Sequence, residues 1–249
     1  MHHKLELSED NKQITKYFTN HKLLKLELQR SIEASTICEK CDSIIVPKVI
    51  ASDDNSITFT YFPNAITFAD LLIQDFERAI DHAPALVDTL LYLQCNLTHP
   101  NKIRCSHYDS TPDYPGAFCH GDFSVNNLLL QDHSLILVDW SSSNWAGKQF
   151  NYAPKHWDLV WFILGLYLIP HIKELPFQRR DFIAKKLLNV YIKQGDISDP
   201  EIISSLALSQ VAFFSNHNRQ LSKWYSTLKH YPKWYRCRRF WKRELDERT

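Results

Sequence analysis

The chain has 249 residues, 44% of them hydrophobic and 23% charged, with a formal net charge of +1. That is the balance of a soluble globular protein with one large core or two modest ones, and it singles out no class of partner. No apolar run reaches the ~18 residues that a bilayer span needs, and no secretory core opens the chain, so no transmembrane segment and a cytoplasmic location are expected.

In chain order, residues 5–7 and 12–18 read as strands around the polar turn Ser8-Glu9-Asp10-Asn11. Residues 21–40, rich in Leu, Glu, Lys and Gln and free of Gly and Pro, predict one long helix. Residues 44–50 form a β-branched run that Pro47 interrupts, which predicts an irregular or edge strand. The turn Asp53-Asp54-Asn55 leads into a strand over 57–62. Beyond that point the pattern becomes helical, over 67–80 and 84–98, and a Pro-, Asp- and Ser-rich loop follows over 99–116. Two short apolar strands at 128–130 and 135–138 flank the turn Gln131-Asp132-His133. Helices are expected over 156–169, 177–193 and 200–216, and in a last stretch ending near Glu244. Strands with one helix, then helices, then a hairpin, then helices indicate an α+β chain, with a strand-rich part at 1–62 and a helical part at 63–249.

Six cysteines are present, and only Cys38 and Cys41 form a CxxC pair, so reduced thiols are expected rather than a four-ligand zinc site. There are five glycines, the first of them Gly116, so neither a Walker A loop nor GxGxxG exists in the first half.

The densest chemistry lies in Cys119-His120-Gly121-Asp122-Phe123-Ser124-Val125-Asn126-Asn127, followed by Leu135-Ile136-Leu137-Val138-Asp139-Trp140. Phosphoryl transfer needs hard oxygen ligands for the cations on a nucleoside triphosphate, and a carboxylate to orient and deprotonate the acceptor hydroxyl. A loop with a carboxylate at Asp122 and an amide at Asn127, then a hairpin presenting Asp139, supplies those groups.

HGDxxxxN followed by an apolar strand and Asp-Trp resembles the aminoglycoside phosphotransferase and choline kinase superfamily, relatives of the protein kinases, whose own motifs read HRDxxxxN and DFG. The resemblance implies a two-lobed protein-kinase-like fold, with a small strand-rich N-lobe and a larger helical C-lobe. It also implies transfer of the γ-phosphate of ATP, or alternatively of GTP, with Mg2+ as cofactor, to a small-molecule or glycan hydroxyl. Asp122 is then the catalytic base, Asn127 and Asp139 the metal ligands, and His120 a loop-shaping residue. Asp158, opening the helix after His156-Trp157, resembles a residue that steadies the catalytic loop. By position, Lys16 and Glu33 would form the phosphate-contacting pair, with Lys12 and Glu27 as rivals, and Tyr61 and Phe62 the segment that reads the nucleobase.

The stretch 216–243 carries nine basic residues interleaved with aromatics and no acidic one. It is expected to contact an anionic acceptor or membrane surface, or to be a packed helix whose basic side chains reach into water. The competing readings are a protein serine/threonine kinase and a catalytically silent scaffold that binds nucleic acid or a membrane surface.

Overall fold

The computed structural model describes residues 4–41, 44–96, 98–103, 114–132, 134–140, 152–221 and 224–247. The chain divides into two units, residues 1–71 with 120–151 and residues 72–119 with 152–249.

The first unit holds an antiparallel sheet in the order β1-β2-β5-β4, formed by Lys4–Leu7, Gln13–Tyr17, Ser56–Thr60 and Val49–Ser52. Alternation along β2 turns Ile14 and Lys16 inward together with Phe18, which follows the strand. Helix α1, His21–Cys38, starts where the Asn20 side chain accepts the amide hydrogens of Lys22 and Leu23. Its apolar stripe packs Leu23 and Leu24 against Phe18 and Ile57, the core of this unit. Pro47, which lacks an amide hydrogen, divides the run 44–50 into β3, Ile44–Ile45, and β4, which belong to different sheets. A second sheet, β3-β10-β9-β6, contains β6 (Ile66–Thr67), β9 (Leu128–Gln131) and β10 (Ser134–Leu137). The β9–β10 hairpin turns through Asp132, whose φ of 54° is one that Asp tolerates.

The helix expected over 67–80 is broken in two, α2 (Phe68–Gln74) and α3 (Phe76–Asp81), because the Asp75 carboxylate accepts the Arg78 amide hydrogen and starts a new helix. In the second unit α4 (Ala83–Asn96) is followed by a further departure from expectation. The ends of the presumed loop 99–116 are strands, β7 (Thr98–Ile103) and β8 (Tyr114–Phe118), and β8 also pairs with β11 (Tyr152–Pro154). Pairing with a strand far along the chain overrides the local Pro and Asp signals.

Helix α5, Trp157–Leu168, is buried on nearly every side, as its apolar run predicts. It packs on α6 (Phe177–Gln194), α7 (Glu201–Leu221) and α8 (Trp224–Asp246). Helix α8 buries Trp234, Cys237, Trp241 and Glu244, and exposes Tyr235, Arg238, Arg239 and Lys242 along one stripe. Arg236 lies 4.2 Å over the Phe177 ring, and Arg243 pairs with Glu247. Those buried aromatics are core, and among the described residues the basic stripe with Tyr235 faces outward. Among the described residues no helix is long and apolar enough to cross a membrane, and cysteines 38, 41, 95, 119 and 237 are thiols outside any disulfide.

His156 enters α5 with a φ of 76°, and its ring stands 2.8 Å from the Tyr191 hydroxyl, which donates to Gln94. Tyr191 has one proton and gives it to Gln94, so His156 Nδ1–H is the donor to Tyr191. Burial pushes this imidazole down to about 3, so it is neutral in the folded protein, whereas an unfolded histidine titrates near 6.5. Below pH ~6.5 the unfolded state binds the extra proton, and stability falls by up to about 1.4 kcal/mol per pH unit for this group. Urea titrations between pH 4.5 and 7.5 should show His156→Asn losing stability less steeply with acid than the wild type. Equal slopes would mean that His156 already carries its proton when folded.

Candidate active site

A cavity of about 470 Å³ opens in the first unit, lined by Lys16 and Glu27 on one wall and by Asn127 and Asp139 on another. Ile14, Pro47, Phe59, Tyr61, Phe62 and Leu129 make its apolar surface. That volume suits a nucleotide-sized ligand.

Lys16 is the hub of the site. Its ammonium lies 2.8 and 2.7 Å from the two Glu27 oxygens and 2.9 Å from Asp139 Oδ1. Burial pulls the Lys16 pKa down, but the Asp139 and Glu27 carboxylates together outweigh it, and the net shift is upward. The lysine therefore stays charged. The sequence placed Glu33 opposite this lysine, and that expectation is corrected: the partner is Glu27. Glu33 lies six residues further along α1, about 120° round the helix at 3.6 residues per turn, and is not among the lining residues. Glu27 instead sits in the buried stripe with Leu23, Leu24, Ser31 and Ala34. Lys12 is exposed, and its carbonyl accepts the Tyr61 amide hydrogen at 2.8 Å.

The hairpin brings the polar groups of 119–140 together. The Val138 amide donates to the Asn127 carbonyl at 3.1 Å, which sets Asn127 beside the Val138–Asp139 segment. Asn127 Nδ2 donates to the Asp122 carbonyl at 3.0 Å, leaving Oδ1 as the side-chain oxygen for a cation. Asp139 has a φ of 62°, and its side chain is 38% exposed. Trp140 is buried and donates from Nε1 to the Leu137 carbonyl at 3.1 Å, anchoring the end of β10.

His120 is fully buried, and its Nε2 donates to the Val138 carbonyl at 3.0 Å. That bond fixes the tautomer, so Nδ1 is the acceptor that meets the Asp122 amide at 3.3 Å. Burial first, and then the Arg30 charge, push the imidazole down to about 3, which keeps the ring neutral. Gly121 takes a φ of 85°, in the left-handed region a side chain would resist. Asp122 is half-buried and stands off the cavity wall, bound to it through its own carbonyl and Asn127. Asp158 belongs to the second unit, buried in the first turn of α5, where a carboxylate suits the helix dipole.

The residue that sequence reasoning missed is Arg30, fully buried on α1 with Nη2 donating to the His120 carbonyl at 3.1 Å. Its signal was a charged residue one turn beyond Glu27, inside an otherwise apolar helical stripe.

The glycine-free turn between β1 and β2 closes on itself. The amide hydrogens of Ser8, Asn11, Lys12 and Gln13 go to the Gln13 carbonyl, the Ser8 carbonyl, the Asp10 carboxylate and the Ser8 hydroxyl. Asn11, with a φ of 53°, takes the left-handed position that glycine would otherwise fill.

For a divalent cation the described residues offer no cluster of three or more His, Cys, Asp or Glu side chains. Asp139 and Asn127 Oδ1 are two hard oxygens on one cavity wall. They fit magnesium, which dehydrates reluctantly and completes its octahedron with phosphate and water oxygens.

No protein-family model and no curated protein matches the chain. Solved structures do. Glucosamine kinase in complex with glucosamine, ADP and inorganic phosphate aligns over 99% of this chain and 80% of its own, with a TM-score of 0.60 at 12% identity. The ADP-bound aminoglycoside phosphotransferase APH(2'')-Ib aligns over 97% and 94%, at a TM-score of 0.53 and 14% identity. Choline kinase LicA from Streptococcus pneumoniae aligns over 96% and 89%, at 0.54 and 14%. The chain thus has the protein-kinase-like α+β fold of small-molecule phosphotransferases.

Proposed function

We propose that this chain is a magnesium-dependent kinase that moves the γ-phosphate of ATP to a hydroxyl of a small sugar-like or anionic molecule. One observation carries the reading: Lys16, Asn127 and Asp139 line a single nucleotide-sized cavity, and Asn127 ties that wall to the loop bearing Asp122. The adenine would lie among Ile14, Phe59 and Leu129. The Tyr61 amide is spent on Lys12, which leaves the Tyr61 carbonyl and the Phe62 amide to read the base edge. Lys16, steadied by Glu27, would hold phosphate oxygens. A magnesium ion on Asp139 and Asn127 supplies neutralisation of the triphosphate charge. Asp122 would orient the acceptor hydroxyl and take its proton as the new P–O bond forms and ADP leaves.

Support for this kind of acceptor comes from the exposed stripe Arg238, Arg239 and Lys242, which favours an anionic partner over a polycation, and from the glucosamine-bound structural neighbour. The test is ADP release from MgATP with neutral sugars, glucosamine, anionic sugars, choline and aminoglycosides offered in turn. A sugar or anionic acceptor should stimulate release most. Preference for a polycation would overturn the acceptor class, and absence of both ADP binding and turnover would overturn the kinase reading.

A further inference from the structure

Helix α1 buries two charged side chains on one stripe, Glu27 and Arg30, at 2% and 0% exposure. Three residues apart, they stand one above the other on the helix. Glu27 reaches the phosphate-wall lysine, Lys16. Arg30 reaches the opposite way, to the His120 carbonyl at 3.1 Å.

The segment it holds needs holding from outside. Between His120 and Asp122 lies Gly121 in the left-handed region, the residue with the widest backbone freedom and no side chain to anchor it. Beyond Gly121, Asp122 is tied by its amide to the His120 ring and by its carbonyl to Asn127. The His120 ring is pinned to Val138 and lies 4.5 Å from the Trp140 ring, and its main-chain carbonyl is a further handle on the loop, which Arg30 grips. Burying a guanidinium costs its hydration, and a well-packed apolar residue of similar length would fill the same space without that cost. What Arg30 contributes is geometry rather than bulk.

We propose that Arg30 is a positioning residue for phosphoryl transfer, fixing through the His120 carbonyl where the Asp122 carboxylate stands. This rests on the reading of Asp122 as the group that meets the acceptor hydroxyl. Helix α1 then sets both halves of the site at once, the phosphate lysine through Glu27 and the catalytic loop through Arg30.

The test compares wild type, Arg30→Met and Arg30→Lys in steady-state kinetics, MgADP titration and hydrogen–deuterium exchange. Misplacing a reacting group by ~1 Å costs on the order of 100-fold in rate, so Arg30→Met should lower kcat by about that factor. Its KM for ATP and its MgADP affinity should stay within about threefold, because the Lys16–Glu27 pair is untouched. Arg30→Lys, which can still donate to the carbonyl, should recover part of kcat. Amides of residues 119–127 should exchange faster in Arg30→Met, while those of the β1-β2-β5-β4 sheet do not change. A kcat within threefold of wild type would overturn the proposal, as would MgADP affinity falling in step with kcat. If the methionine variant does not fold, the lysine variant carries the same comparison. If the wild type neither binds MgADP nor turns over, the kinase reading fails, and exchange at 119–127 alone decides whether Arg30 holds the loop.

Discussion

Asp122→Asn is expected to lower kcat by roughly 10²–10⁴, the range that a positioned general base contributes, and to leave MgADP affinity unchanged. The substitution keeps the size and the main-chain bonds to His120 and Asn127, and it replaces the carboxylate proposed to take the acceptor's proton. Asp139→Asn should behave differently. It removes one of the two hard oxygens on the cavity wall and the carboxylate at 2.9 Å from Lys16, so turnover and the magnesium dependence of nucleotide binding should be lost together. Calorimetric titration of ADP with and without magnesium, beside a turnover assay, separates the two outcomes. Asp122→Asn with a third or more of wild-type turnover would remove Asp122 from the chemistry. Asp139→Asn with unchanged magnesium dependence would remove Asp139 from the metal site.

The contrast between these variants should be sharp because the rest of the phosphate grip is lean. The turn between β1 and β2 spends the amides of Ser8, Asn11, Lys12 and Gln13 on its own residues, and the carboxylates of Glu9 and Asp10 stand at its tip. An anion-binding loop presents unspent amide hydrogens. On the proposed function, phosphate affinity should therefore fall on Lys16 and on a cation held by Asp139 and Asn127.

How much of this could be read without coordinates depends on how local each cause is. The groups at 119–140 lie in one contiguous segment, where spacing along a loop and a two-stranded hairpin sets their separation, and the ladder Leu128–Gln131 with Ser134–Leu137 forms as the apolar pattern requires. The lysine partner was ambiguous because Glu27 and Glu33 are equally good helix formers. Only the buried stripe of α1 separates them, and that stripe could have been extracted from the sequence by asking which glutamate shares a face with Leu23, Leu24 and Ala34. Strands β7 and β8 were hidden because β8 pairs with β11, some way along the chain, and β7 forms only by pairing with β8. Arg30 was hidden for the same reason in side-chain form, since its acceptor is a main-chain carbonyl ninety residues away. The aromatics of α8 carried a signal with two meanings, and burial assigns Trp234, Phe240 and Trp241 to the core while Tyr235 stays exposed.

The largest stability loss is expected from a residue outside the proposed chemistry, Arg180. It is 1% exposed near the start of α6. Its Nη1 donates to the carbonyls of Leu166 and Tyr167 at 3.0 and 3.4 Å, its Nη2 to Ile172 at 2.6 Å and its Nε to Leu175 at 2.9 Å. Leu166 and Tyr167 lie in the last turn of α5, where helix carbonyls have no intrahelical partner. Ile172 closes the short 3-10 turn Pro170–Ile172 that follows, and Leu175 leads into α6. One guanidinium therefore satisfies the end of α5, the connection and the entry to α6, a span that no other single side chain could serve, because only arginine presents five donors in a fixed fork. Its flat face also lies 4.8 Å from the Phe177 ring, whose other neighbour is Arg236. Arg180→Met keeps most of the volume but takes the guanidinium donors from the Leu166, Tyr167 and Leu175 carbonyls, at about 1–3 kcal/mol for each one that water cannot reach, while the Ile172 carbonyl keeps the Leu175 amide hydrogen at 3.0 Å. A total near 3–5 kcal/mol is expected, which lowers the melting temperature by roughly 10 °C or more for a chain of this size. Arg180→Lys should rescue little, since an ammonium has three donors and cannot span the same acceptors. A melting temperature within about 2 °C of wild type for Arg180→Met would show that water already serves these carbonyls.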